Sequence, residues 1–195
     1  MSAPAEPRAN QREHILDTTL RLMSEHGAAG MSMRQLAAAC GVQVAAIYHY
    51  FPSKDALLAA VVAERQYGAR MSDPLPIDLA APADARLRDL YRFVWDGAME
   101  EEAIWKLLMG EGLRGELSVL PVGHALLDLL RTASAGWIRQ WVPELAEPAA
   151  VGQLLVGQMV TGFLRMMFEP DLDRAVIADD GADALVTALR SQLES

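Results

Sequence analysis

The chain has 195 residues, 52% of them apolar and 22% charged, with a formal net charge of −9. That length suits one domain or two small ones around a buried core, and the single cysteine, Cys40, excludes an internal disulfide and a thiolate zinc cluster and fits a reducing cytoplasm. The opening MSAPAEPRANQREH lacks the apolar run of a secretory signal, and few segments alternate as strands do, so the expected fold is all-α.

Residues 1–10 are expected to form a flexible arm. Ile15, Leu16, Thr19, Leu20, Leu22 and Met23 then recur at helical spacing, and Gly27 ends that helix as a plausible cap. Ser32 and Gln35 make a capping box, with Met31 and Leu36 placed as a hydrophobic staple around it. The helix they open runs to Cys40, where Gly41 supplies a tight turn. A short helix over 43–50 follows and stops before Pro52, because the residue preceding proline resists helical geometry. Ser53 caps the next helix, which carries Leu57, Leu58, Val61, Val62 and Arg65.

Two short helices across one glycine, with small or apolar residues at Leu36, Ala37, Cys40, Val42, Ile47 and Tyr50, describe a helix-turn-helix. Its second helix would enter a major groove and turn Gln43, Val44, Ala45, Ala46, Tyr48 and His49 outward. Charge agrees with this placement. Residues 1–70 hold 7 basic and 6 acidic side chains, whereas 71–195 hold 10 and 20, so the acidity lies in the distal half and would be repelled by phosphate. Between Ser32 and Lys54 there are two bases, Arg34 and Lys54, and no acid.

The segment MSMRQLAAACGVQVAAIYHYFPSKDALLAAVV resembles the DNA-binding domain of the TetR (tetracycline-repressor) family of bacterial transcription regulators, closely over about residues 10–65. The resemblance implies a three-helix DNA-binding domain, a helical effector-binding domain and a homodimer. It also implies that Tyr48, His49, Tyr50 and Lys54 meet the DNA backbone or base edges, with Val44-Ala45-Ala46 blander than the polar residues often found there. The hydroxyl of Tyr48 and the imidazole of His49 would donate to phosphate oxygens, and Lys54 with the helix start at Ser53 would form a phosphate seat. Ser32 and Arg34 would hold the same backbone. Gln43 alone offers a strong base-edge hydrogen bond, best matched to adenine, while Val44, Ala45 and Ala46 suit thymine methyls. Tyr50 occupies a position that is core-facing in the pattern, so both roles stay open for it.

Beyond this region the helices expected are 83–99, 101–113, 119–142, 148–168 and 181–193. All four tryptophans lie here, and aromatic rings with soft thioethers can form a pliable apolar cavity. The candidate effector pocket is Tyr91, Trp95, Trp105, Met109, His124, Trp137, Met159 and Phe163, although for any one of these a plain core role is the simpler reading. Helix 148–168 is apolar on almost every side; Gln153, Gln158 and Arg165 and the lack of flanking anchors mark it as buried or interfacial rather than membrane-spanning. By the family resemblance it pairs with the last helix in a dimer interface that includes Val156, Val160, Leu185 and Leu189.

The resulting division is a 1–10 arm, an 11–52 helix-turn-helix domain, a 53–70 connecting helix and a 71–195 effector and dimerisation domain. The expected function is a cytoplasmic homodimeric repressor that binds a near-palindromic operator and releases it on binding a small, largely apolar effector. No Gly-rich phosphate loop, nucleophile elbow or metal-ligand pair occurs, so no enzyme activity, metal or cofactor is expected. Two alternatives stay open: a helical small-molecule sensor without operator binding, and an activator.

Overall fold

The structure, a computed structural model, describes residues 6–64 and 77–194, and among these there is no strand. The helices are α1 (Glu6–Gly30), α2 (Met33–Cys40), α3 (Val44–Tyr50), α4 (Lys54–Glu64), α5 (Ala83–Glu100), α6 (Glu102–Leu113), α7 (Leu120–Trp141), α8 (Pro148–Phe168) and α9 (Arg174–Leu193). One compact unit holds α1–α4, α6 and the start of α7; the other holds α5, the rest of α7, α8 and α9. The all-α expectation is met, but the distal domain is not the continuous 71–195 read from sequence. Its 101–125 segment joins the N-terminal helices instead. The reason is an apolar stripe on α6, Ile104, Leu107 and Leu108, which is buried as α6 packs on α1.

In the first unit α1 buries Ile15, Leu16, Thr19 and Met23 along one face, and the Thr19 hydroxyl donates to the Ile15 carbonyl at 2.6 Å. Helix begins at Glu6, so residues 6–10 extend α1 rather than forming a separate arm. Gly27 leaves helical geometry at φ 73 and ψ 159, yet helix resumes to Gly30, so this residue breaks α1 rather than capping it. The connecting helix is seen as α4; Arg65 and the rest of 65–70 lie outside the described residues.

In the second unit α5 buries Leu87, Leu90, Tyr91, Val94 and Trp95 at helical spacing. It packs against α9, and Arg88 and Arg92 pair with Asp183 and Asp179 along the edge of that contact. Buried Arg86 is held by the carbonyls of Ala81 and Trp141 and by the Glu144 carboxylate. Helix α9 begins earlier than expected. Asp173 caps it by accepting from the Ala175 N–H at 2.8 Å, and Gly181 lies within the helix rather than at its start. By length and composition alone α8, with a mean hydropathy of 1.2, could cross a membrane. Its Val151, Leu155, Met159 and Phe163 are nevertheless buried inside the unit, and Arg165 pairs with Glu169 and Asp180.

Candidate nucleic-acid interface

The reading unit is assembled from local signals. At the start of α2 the Gln35 N–H donates to Ser32 Oγ (3.2 Å), and the Ser32 N–H donates to Gln35 Oε1 (2.8 Å), which closes the capping box. The helix ends at Gly41 in the left-handed region, φ 67 and ψ 29, with the Val42 N–H reaching back to the Ala37 carbonyl at 3.0 Å. Nothing crowds a side chain at Gly41, so backbone geometry alone asks for glycine there.

Helix α3 is anchored by Ile47, fully buried, with Phe51 buried just beyond its end. The opposite side carries Ala45, Tyr48 and His49, spaced i, i+3 and i+4 and all exposed; Tyr48 is 49% accessible. Gln43 is the N-cap residue, exposed, and makes no side-chain capping bond, so its amide is uncommitted. Val44 and Ala46 are half-buried. Ser32 and Arg34 are exposed at the opening of α2.

Two expected contacts are directed inward. The Tyr50 hydroxyl bonds Gln11 Oε1 at 3.2 Å and its ring meets that of His49 edge-on, 5.3 Å between centroids. Tyr50 therefore joins the packing between α3 and α1 rather than the outward face. Lys54 turns its ammonium onto the Ala29 carbonyl at 3.2 Å, and Asp55 brings a carboxylate into the same first turn of α4. The helix start is capped as expected, with Ser53 Oγ accepting from the Ala56 N–H at 3.0 Å, but it is a less cationic seat than Lys54 alone suggests. Sequence reasoning passed over Arg12, which lies 5.2 Å over the Phe51 ring and forms a bidentate 2.5 Å pair with Glu64. That hydrogen bond holds the guanidinium pKa above its ordinary value. No short-range signal marks a pair 52 residues apart.

The expected effector residues divide between the two units. Trp105, Met109 and His124 belong to the first unit, and His124 is exposed. In the second unit Tyr91 and Trp95 are fully buried and stacked, 6.5 Å apart with planes 12° off parallel, and Phe163 tilts against Trp95 at 5.8 Å. These rings fill their space. A Cβ at Gly162 would stand 2.4 Å from Trp95, and one at Gly181 would stand 2.3 Å from the Tyr91 hydroxyl. Burial pushes the Tyr91 pKa up to about 12. Met159 and Trp137 are buried on α8 and α7 of the same unit.

The expected interface residues also divide. Leu185 and Leu189 are buried within the protomer, on the side of α9 that meets its own neighbours, so they cannot form an outer face. The outer face of α8 instead shows Leu154, Gly157, Val160, Thr161 and Leu164, all exposed, with Val156 half-buried beside them.

Residues 15–61 match the model of the bacterial regulatory proteins of the tetR family. The nucleoid occlusion factor SlmA of Shewanella woodyi is 29% identical over 112 residues, 57% of either chain. The transcriptional repressor AcnR of Corynebacterium efficiens is 32% identical over 94 residues, 48% of this chain and 49% of its own. The chain thus spans only about half the length of these curated relatives. A tetR-family transcriptional regulator from Streptomyces coelicolor shares the fold, with a TM-score of 0.67 at 20% identity over 98% of this chain and 83% of its own. Residues 15–61 are thus similar to the bacterial regulatory proteins of the tetR family.

Proposed function

We propose that the protein is a cytoplasmic, homodimeric, sequence-specific DNA-binding transcriptional regulator, a repressor in its effector-free form, that inserts α3 into the major groove. The observation that carries this reading is the outward face of α3, where exposed Tyr48 and His49 stand beside an uncommitted Gln43. Tyr48 and His49 donate to phosphate oxygens, with Ser32 and Arg34 gripping the same strand from α2. Gln43 reads an adenine edge, and the methyls of Val44, Ala45 and Ala46 rest against thymine methyls. With so few base-edge donors, specificity leans on DNA shape and on the spacing of two heads. Lys54 reaches phosphate only by leaving Ala29, which makes it a secondary contact.

The exposed apolar stripe of α8, Leu154, Gly157, Val160 and Leu164, supports a twofold contact with a second copy, with Val156 flanking it. Twofold symmetry then calls for a near-palindromic operator. The effector is a small, largely apolar molecule acting on the aromatic core of Tyr91, Trp95, Trp137, Met159 and Phe163, and it enters by displacing rings rather than by filling an open cavity. The likeness to a transcriptional repressor supports the sign of regulation. Selection from a pool of randomised duplex DNA tests the reading: a palindromic consensus bound with steep salt dependence is expected. Failure to enrich any sequence refutes it.

A further inference from the structure

Glu111, on α6, is 3% exposed, and no other acidic side chain among the described residues is buried to that degree. Its Oε1 accepts from the Ala28 N–H at 2.6 Å and from Arg114 Nη1 at 2.9 Å. A charge tolerates such burial only when paired and hydrogen-bonded, and both conditions are met here. Ala28 directly follows the break at Gly27, so the carboxylate supplies an acceptor where the helical ladder of α1 is interrupted. The guanidinium of Arg114 closes over the break itself: a Cβ at Gly27 would sit 3.2 Å from both of its terminal nitrogens. Two peptides on, the Ala29 carbonyl accepts from Lys54 Nζ at 3.2 Å. Ala28, Ala29, Lys54, Asp55, Glu111 and Arg114 line one cleft. Two consecutive residues are therefore gripped by α6 through Glu111 and by the first residue of α4.

We propose that Glu111 is a positioning residue for DNA binding. It locks α6 to the break in α1 and, through Ala28–Ala29 and Lys54, sets the start of α4 and the orientation of α3 just before it. The proposal rests on the DNA-binding function above.

The test uses the full chain and an operator selected by the parent protein, with dissociation constants measured per active dimer well below the unfolding temperature. Glu111→Ala should weaken binding about tenfold or more, within the roughly 5–150-fold range of ordinary coupling. Glu111→Gln keeps an acceptor for Ala28 but loses the charge. Arg114→Ala, at a largely exposed side chain that should not unfold the protein, removes the outer partner. Both should fall between parent and Glu111→Ala, about threefold weaker, a graded loss that follows the grip itself. The salt slope should stay at the parent value in Arg114→Ala, whereas a direct phosphate contact by Arg114 would lower it by about 1. Exchange of the Ala28 amide should quicken in the same order as affinity falls. Parent affinity in folded Glu111→Gln and Arg114→Ala overturns the proposal, as does full recovery of Glu111→Ala on adding a stabilising osmolyte, which would mark a role in folding alone. A parent protein that selects no sequence defeats the DNA-binding function and the proposal together, and is distinguished from the other outcomes by appearing before any variant is made.

Discussion

Tyr91→Phe should make the protein more stable. The Tyr91 hydroxyl is fully buried, has no hydrogen-bond partner, and abuts the backbone of α9 where Gly181 leaves room for it. An unpaired buried hydroxyl costs about 1–3 kcal/mol of desolvation, and phenylalanine keeps the ring that stacks on Trp95. Allowing for the small void left by the oxygen, the gain should be about 1–2 kcal/mol, or roughly 2–8 °C in Tm for a chain of this size. The same burial predicts a pH signature. The folded pKa of about 12 stands above the ordinary 10.0, because burial penalises the phenolate. Below pH 10 both states keep the proton and the shift contributes a constant amount. Between pH 10 and 12 the unfolded chain ionises while the folded one does not, so the parent loses stability as pH rises, by about 2–3 kcal/mol. Tyr91→Phe lacks that loss, and its advantage should widen across this window. Urea unfolding of both proteins at equal concentration, at pH 7 and through pH 10–12, measures each quantity. Equal stability at pH 7 with parallel alkaline losses would mean that the hydroxyl is satisfied in the folded state, and the reasoning would fail.

Gly162→Ala should lower Tm, because its Cβ would press 2.4 Å from a Trp95 ring that is held between Tyr91 and Phe163; overpacking of about 1–3 kcal/mol exceeds the helix gain of about 1. Gly157→Ala, with open space around it in the protomer, serves as the control and should not destabilise the monomer. Leu164→Asp should give folded monomers in sedimentation that lose operator binding, whereas Leu189→Asp, at a buried site, should unfold the second unit; a dimeric Leu164→Asp places the interface elsewhere. Gln43→Ala should relax preference at one base pair per half-site and cost about 1–3 kcal/mol there, checked by repeating the randomised-duplex selection; an unchanged consensus excludes direct readout by this residue.

What could be read from the sequence, and what could not, follows the range of each interaction. Ser32 with Gln35, Gly41, and Pro52 with Ser53 act within three or four residues, and each is where its local chemistry requires. The apolar stripes of α1, α5 and α8 were legible for the same reason, since periodicity is a local property of the chain. Periodicity does not tell which neighbour covers a stripe. Leu185 and Leu189 were visible as an apolar face, but only the packing of α5 on α9 turns that face inward and leaves the Leu154–Leu164 side of α8 uncovered. Gly181 illustrates the limit from the other direction. The expected last helix, 181–193, starts at this glycine, yet it lies mid-helix, where its missing side chain leaves space for the Tyr91 hydroxyl.

The side chains whose assigned roles changed are those whose polar tips find partners far along the chain. Tyr50 meets Gln11 across 39 positions and Lys54 meets Ala29 across 25, while Glu111, which no motif singled out, meets Ala28 across 83. A tyrosine or lysine beside a reading helix has the same local sequence whether it points at phosphate or at its own backbone, and only the fold of α1 decides. The break at Gly27 frees the Ala28 N–H that Glu111 takes, and the Ala29 carbonyl, in the last turn of α1 where no helical donor follows, takes Lys54. The positive φ at Gly27 thus adds a polar grip to the apolar stripe that packs α6 on α1, and the end of α1 just beyond it draws Lys54 away from phosphate.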